Sequence, residues 1–256
     1  MAEDKNLQNK HKIPSLLIIL LISMILFVCV CLFLHVSPFR LIGAAFCHQI
    51  SSRSPDFHFP FCYRCAGLFS GVFCGLAASM IWNYDKKLLP TKSICFFAFS
   101  LLLFITDILN SSKFPMIHLY PERVNFRFLS AFPLGFSLSR IIMQIFQYWF
   151  HIKNAFQINN SIIKLISFVL FAVLSYVLIF SHVELLSVIS EILLSIGCIV
   201  FLSLLYMILV FCISLLRNKQ ANKTSAMLAA LSLAFFHITF FGWIHIRYLH
   251  FEQLFS

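Results

Sequence analysis

Apolar residues in this chain fall in long unbroken runs, unlike the alternation of half-buried strands or the narrow stripe of surface helices. The runs are Ile13 to Val36, Ala66 to Trp82, Ser93 to Leu109, Phe126 to Phe150, Ile162 to Ser181, Glu191 to Leu216 and Ser225 to Ile246. A hydrocarbon layer of ~30 Å is crossed by roughly 20 apolar residues in a helix. The pattern therefore predicts an all-α polytopic transmembrane bundle of seven spans. The first run is longer than the ~7 to 15 apolar residues of a cleavable signal and has no small-x-small cleavage site, which predicts a retained helix. The sixth has the least definite start: apolar character resumes at Val183 but is broken by Glu184 and Glu191, leaving room for a short interfacial helix ahead of it. No repeat or linker divides the chain, which reads as one membrane domain over residues 1–256. Residues 37–65 read as a structured extracytoplasmic segment.

Composition agrees with lipid as the main solvent. Of the 256 residues 61% are hydrophobic and 11% charged, with a mean hydropathy of +0.92, where soluble domains have ~45 to 50% and ~25%. A net charge of +10 in such a chain reports first on loop orientation, because Lys and Arg near span ends are retained in the cytoplasm. An N-terminus inside gives eleven basic residues to the cytoplasmic segments and seven to the opposite ones. A multi-pass protein of the cell (inner) membrane with a cytoplasmic N-terminus is expected, and no nucleic-acid partner. Ten of the eleven inner cations are Lys, and six of the seven outer ones are Arg. Guanidinium forks suit carboxylate or phosphate, so the outer Arg point either to an anionic ligand or to pairing with membrane lipid and with Asp56, Asp107 and Glu122.

The residues with most chemistry collect on that outer side. They are Cys47-His48-Gln49, then Arg53-Ser54, then Pro60-Phe61-Cys62-Tyr63-Arg64-Cys65-Ala66-Gly67. Pro60 suits a helix start, which sets Cys62 and Cys65 in the first turn. Free N–H groups and the positive dipole end favour thiolate there. Gly67, Gly71 and Gly75 recur every four residues and predict a smooth stripe for close packing on another helix.

These motifs, C-H-Q-x-x-x-R-S and P-x-C-x-R-C-x-G-x-x-x-G, resemble those of the prokaryotic membrane proteins of the domain-of-unknown-function 2085 family. Asp107, Asn125, Arg127, Ser130 and Gly135 resemble a second block of that family, so the likeness covers about residues 47–135. It implies a multi-spanning membrane protein and no assigned reaction.

Several chemistries fit the first block. Cys47, His48, Cys62 and Cys65 make a three-sulfur, one-nitrogen set of the kind that binds structural zinc, and soft sulfur also suits copper(I). Replacement of one ligand by His58 or water would open the site for catalysis. Alternatively Cys62 and Cys65 cycle between dithiol and disulfide with Cys47 as exchange partner, or Cys47 forms a structural disulfide to one of the pair in a transport or lipid-handling protein. Asp107 is a candidate base beside the thiols. Arg64, Arg123 and Arg127 are candidates for gripping an anionic lipid or lipid-linked substrate, and an Asp107–Arg127 ion pair between two spans is the plainer reading of those two. Ala66 follows Cys65 where covalent haem attachment needs His. His237 and His245, eight apart on one helix, fit packed polar residues better than haem ligands.

Overall fold

The structure is a computed structural model, and it describes residues 2–47, 61–82, 91–111, 124–150, 161–181, 183–216 and 223–255. The elements are α1 (Ala2–Leu34), α2 (Pro38–Phe46), α3 (Tyr63–Ile81), α4 (Thr91–Ser111), α5 (Val124–Phe150), α6 (Ser161–Phe180), α7 (Glu184–Leu216) and α8 (Lys223–Phe255). Among the described residues, every helix except α2 is long and apolar enough to cross a membrane, which makes seven spans. The protein is a polytopic helical membrane protein. One expectation is corrected: α7 runs unbroken from Glu184, with no separate interfacial helix before it. Glu184 sits in the first turn, where a negative charge suits the helix dipole. Glu191 is half-buried within the same continuous helix.

The chain forms two compact units, Met1–Asp56 with Cys198–Ser256, and Phe57–Gly197. In the second, α3 and α5 form the central seam. A Cβ on Gly67, Gly71 or Gly75 would run into the backbone of Phe128, Phe132 or Phe136 respectively, and one on Gly135 into that of Leu68. The predicted glycine stripe thus meets α5, with both four-residue series rising in the same direction. Two helices separated by one intervening span must run parallel, as these do. Backbone contact this close is how membrane helices associate without a hydrophobic driving force between them. Phe128, Ala131 and Phe132 are at most 1% exposed along this seam. Helix α4 packs on α5, and α6 meets α3 through Ser175 and Cys74, whose Oγ and Sγ are 3.4 Å apart. At the far end of the unit the Arg140 guanidinium lies 4.4 Å over the Trp82 ring.

In the first unit, α1 ends in a reversal that the residues around it explain. His35 takes the left-handed backbone (φ 52°). Its N–H donates to Leu32 O at 3.2 Å, and the Val36 N–H donates to Cys31 O at 3.1 Å, the paired bonds of a Schellman motif with His in the position glycine usually takes. Ser37 then caps α2 by accepting from the Arg40 N–H at 3.2 Å, with Pro38 in the first turn. The α2 that follows lies along α8, where Leu41 packs against Gly242 and Phe46 stacks on His237 at 6.1 Å. Residues 38–46, read from sequence as the start of an outer segment, instead fold back alongside a span. Eight of these nine residues lack charge, and Leu41, Ile42, Gly43 and Ala44 are buried, so the return costs no charged group its water.

Candidate functional site

Cys62 is the N-cap of α3, with an extended backbone (φ −69°, ψ 158°), and its sulfur accepts from the Cys65 N–H at 3.5 Å. The helix therefore starts at Tyr63, three residues after Pro60, which lies outside the described residues. A thiol in this place takes the role usually filled by a Ser, Thr, Asp or Asn oxygen. The N–H groups of the first turn and the positive end of the helix dipole favour the thiolate, which is both the metal ligand and the nucleophile. The Cys62 and Cys65 sulfurs lie within 4.8 Å of each other. Two sulfurs bound at ~2.3 Å to a tetrahedral ion are about 3.8 Å apart, so this pair needs only a small adjustment to share one. Both thiols are half-buried, and Cys47, directly after α2, is buried. Within the second unit, Cys62 and Cys65 are thus two soft donors that could share a metal ion.

Between these two cysteines, Arg64 turns the other way. It points into the second unit, where its Nε pairs with Asp107 Oδ2 and its Nη2 donates to the Asp107 carbonyl at 3.0 Å. Asp107, near the end of α4, is 2% exposed and Arg64 9%. A buried pair of this kind is held because each charge alone would be far more costly than the two together. Asp107 thus meets Arg64, one of the arginines expected on the outer side, on the helix that carries the thiols.

The same end of this unit receives Tyr63, stacked on Phe180 at 5.1 Å, and Phe61, edge-on to Phe69 at 5.9 Å. Arg127 is half-buried in the first turn of α5, its carbonyl accepting from Ser130 Oγ at 3.2 Å, next to the fully buried Phe128 of the seam. Cys62, Cys65, Arg64, Asp107 and Arg127 are therefore carried to one end of one unit by α3, α4 and α5. His48, His58 and Arg123 lie outside the described residues.

The segment that carries this geometry is also the one that matches a protein-family model. Residues 47–141 match the family described as predicted membrane protein, DUF2085. The match covers a little over a third of the chain, beginning at Cys47 and ending one residue after Arg140. It takes in the glycine seam, the Arg64–Asp107 pair and all three thiols of the candidate ligand group. No curated protein and no solved structure matches the chain.

Two features were not directly legible beforehand. Pairing of the outer arginines with Asp107 was among the expectations, but not that Arg64 is the arginine that meets it. Tyr206 Oη and His237 Nδ1, 2.8 Å apart between α7 and α8, form a polar pair of which only the His had been weighed.

Proposed function

We propose that this is a multi-pass protein of the cell (inner) membrane, N-terminus cytoplasmic, that holds a zinc or copper ion on its extracytoplasmic side. The ligands assigned are Cys47, Cys62 and Cys65, with His48 completing a tetrahedral set. The observation that carries the reading is the thiol pair at the start of α3, one sulfur capping the helix and the other within 4.8 Å of it. Soft donors at a helix N-terminus suit a soft or borderline cation once they ionise.

With His48 bound, four protein ligands close the site and its role is structural. With water in that place the metal would supply Lewis acidity and an activated water for chemistry on an anionic lipid or lipid-linked substrate. Arg127 and Arg123 would then orient the anionic group by paired N–H donation. Asp107 is assigned the holding of Arg64, which ties the thiol-bearing first turn of α3 to α4.

Elemental analysis of detergent-purified protein tests the reading. About one transition-metal ion per chain is expected, lost when Cys62 and Cys65 are both changed to Ser. Metal-free protein with Cys62 in a disulfide would overturn it in favour of thiol–disulfide exchange, for which the same helix-capping thiol pair is suited.

A further inference from the structure

We propose that the first unit contains a binding site for the headgroup of a membrane-dissolved quinone, built on His237 and Tyr206. His237 lies within the α8 span from Lys223 to Arg247. At 1.5 Å per residue it is about 15 Å from the level of Arg247 and about 21 Å from that of Lys223, close to the middle of the hydrocarbon. An imidazole at this depth is costly to keep and marks a functional position by default. It is also only half satisfied. Nδ1 is bonded to Tyr206 Oη at 2.8 Å, and among the described residues Nε2 has no hydrogen-bond partner. His237 is half-buried, so Nε2 is within reach of a molecule arriving through the bilayer.

The surroundings describe that molecule. The imidazole is faced by Phe241 at 4.5 Å, Phe46 at 6.1 Å and the Tyr206 ring at 6.1 Å. Phe241 is 47% exposed, leaving an aromatic surface open beside the free nitrogen. A ligand must therefore offer a flat apolar face and one hydrogen-bonding atom at mid-membrane depth. Phospholipid does not meet this demand, because its carbonyls and phosphate stay in the interfacial layers outside the hydrocarbon. A quinone does, since its ring stacks on aromatic faces and its carbonyl accepts a hydrogen bond. The histidine–tyrosine pair also suits both states of such a ligand. With Tyr206 donating to Nδ1, Nε2–H faces a quinone carbonyl; with Nδ1–H donating to Tyr206, the Nε2 lone pair accepts from a quinol hydroxyl. The site is independent of the thiol reading and stands or falls separately.

The test is calorimetric titration of the full-length protein in detergent with decylubiquinone, with decanol as the tail-only control. Saturable binding of one quinone per chain is expected, with none for decanol. His237→Phe, which keeps an aromatic ring and removes the nitrogen, should weaken binding at least tenfold. Tyr206→Phe should weaken it about threefold. The dimethyl ether of the decylubiquinol, which keeps the ring and tail but has no carbonyl or hydroxyl, should bind wild-type protein at least tenfold more weakly. This last arm needs no variant to fold. Non-saturable uptake of decylubiquinone, or equal affinity for the dimethyl ether, would overturn the proposal.

Discussion

Two cysteine-bearing segments, α2 with Cys47 behind it and α3 with Cys62 and Cys65 at its head, are held in place by different physics. Helix α3 is fixed along its length, its glycines pressed on the α5 backbone and 67% of its apolar stretch buried. By contrast only 11% of the α6 stretch is buried, although α6 is the more apolar of the two. In a bilayer hydrophobicity marks what faces lipid, while small residues mark what faces protein. Helix α2 has only nine residues and its direction is set at its start, by a left-handed His35 and a Ser37 cap. One segment is positioned by a seam, the other by a corner.

The largest expected effect breaks the seam. Gly71→Val would drive a branched side chain into the Phe132 carbonyl and the backbone at Phe136, both part of a continuous helix that cannot yield locally. Overpacking costs ~1 to 3 kcal/mol where side chains can adjust, and more against rigid backbone. Loss of the monodisperse peak in detergent gel filtration, or a melting temperature at least 10 °C lower, is expected. Val173→Leu on the lipid-facing side of α6, 52% exposed, should leave both unchanged. A well-folded Gly71→Val protein would mean that α3 and α5 do not approach as described.

Next in size is the Arg64–Asp107 pair, which ties the thiol-bearing turn to α4. Asp107→Ala leaves a buried guanidinium without its counter-charge, a change worth about 3 to 5 kcal/mol. The double change Arg64→Met with Asp107→Leu removes both charges and should recover most of the melting temperature, since well-packed apolar residues commonly replace a buried pair at little cost. Metal content decides what the pair is for. If it positions the thiols, the stable double variant binds metal more weakly than wild type. Full metal content in that variant would make the pair a fold staple only.

How much of this was legible follows from which features are local. The seven spans are local, because length and apolarity of a single run decide them. The glycine stripe was also legible, as a period within one helix. That Cys62 and Cys65 share a helix start was readable, although the cap fell on Cys62, two residues beyond Pro60. Which arginine Asp107 meets was not, because the choice of Arg64 depends on the register of α3 against α4, which no residue in either helix encodes by itself. The direction of α2 was hidden for a similar reason. Nine residues are too few for their apolar run to announce a helix packed on a span, and their partner, α8, begins at Lys223, at the other end of the chain. His35, Ser37 and Pro38 were in view, but a His seldom announces a left-handed turn.

That His gives the smallest effect and the finest test of the corner. A left-handed backbone costs a residue with a Cβ ~1 to 2 kcal/mol relative to glycine. Against this, glycine has more freedom to lose on folding, which takes back ~0.4 to 1 kcal/mol. His35→Gly is therefore expected to be neutral to slightly stabilising. His35→Val should be destabilising, since a β-branched residue is a genuine outlier at φ 52°. Ser37→Ala should cost about 1 kcal/mol by leaving the Arg40 N–H uncapped. The sign of the glycine effect separates the corner from a seam: at Gly71 the glycine is needed because α5 occupies the space, so any larger residue is worse, whereas at position 35 the constraint is the backbone angle alone. Melting curves of the three corner variants in one detergent measure this. If His35→Gly lowered the melting temperature as much as His35→Val does, the imidazole itself would be holding the corner, and the direction of α2 would depend on side-chain contacts as that of α3 depends on α5.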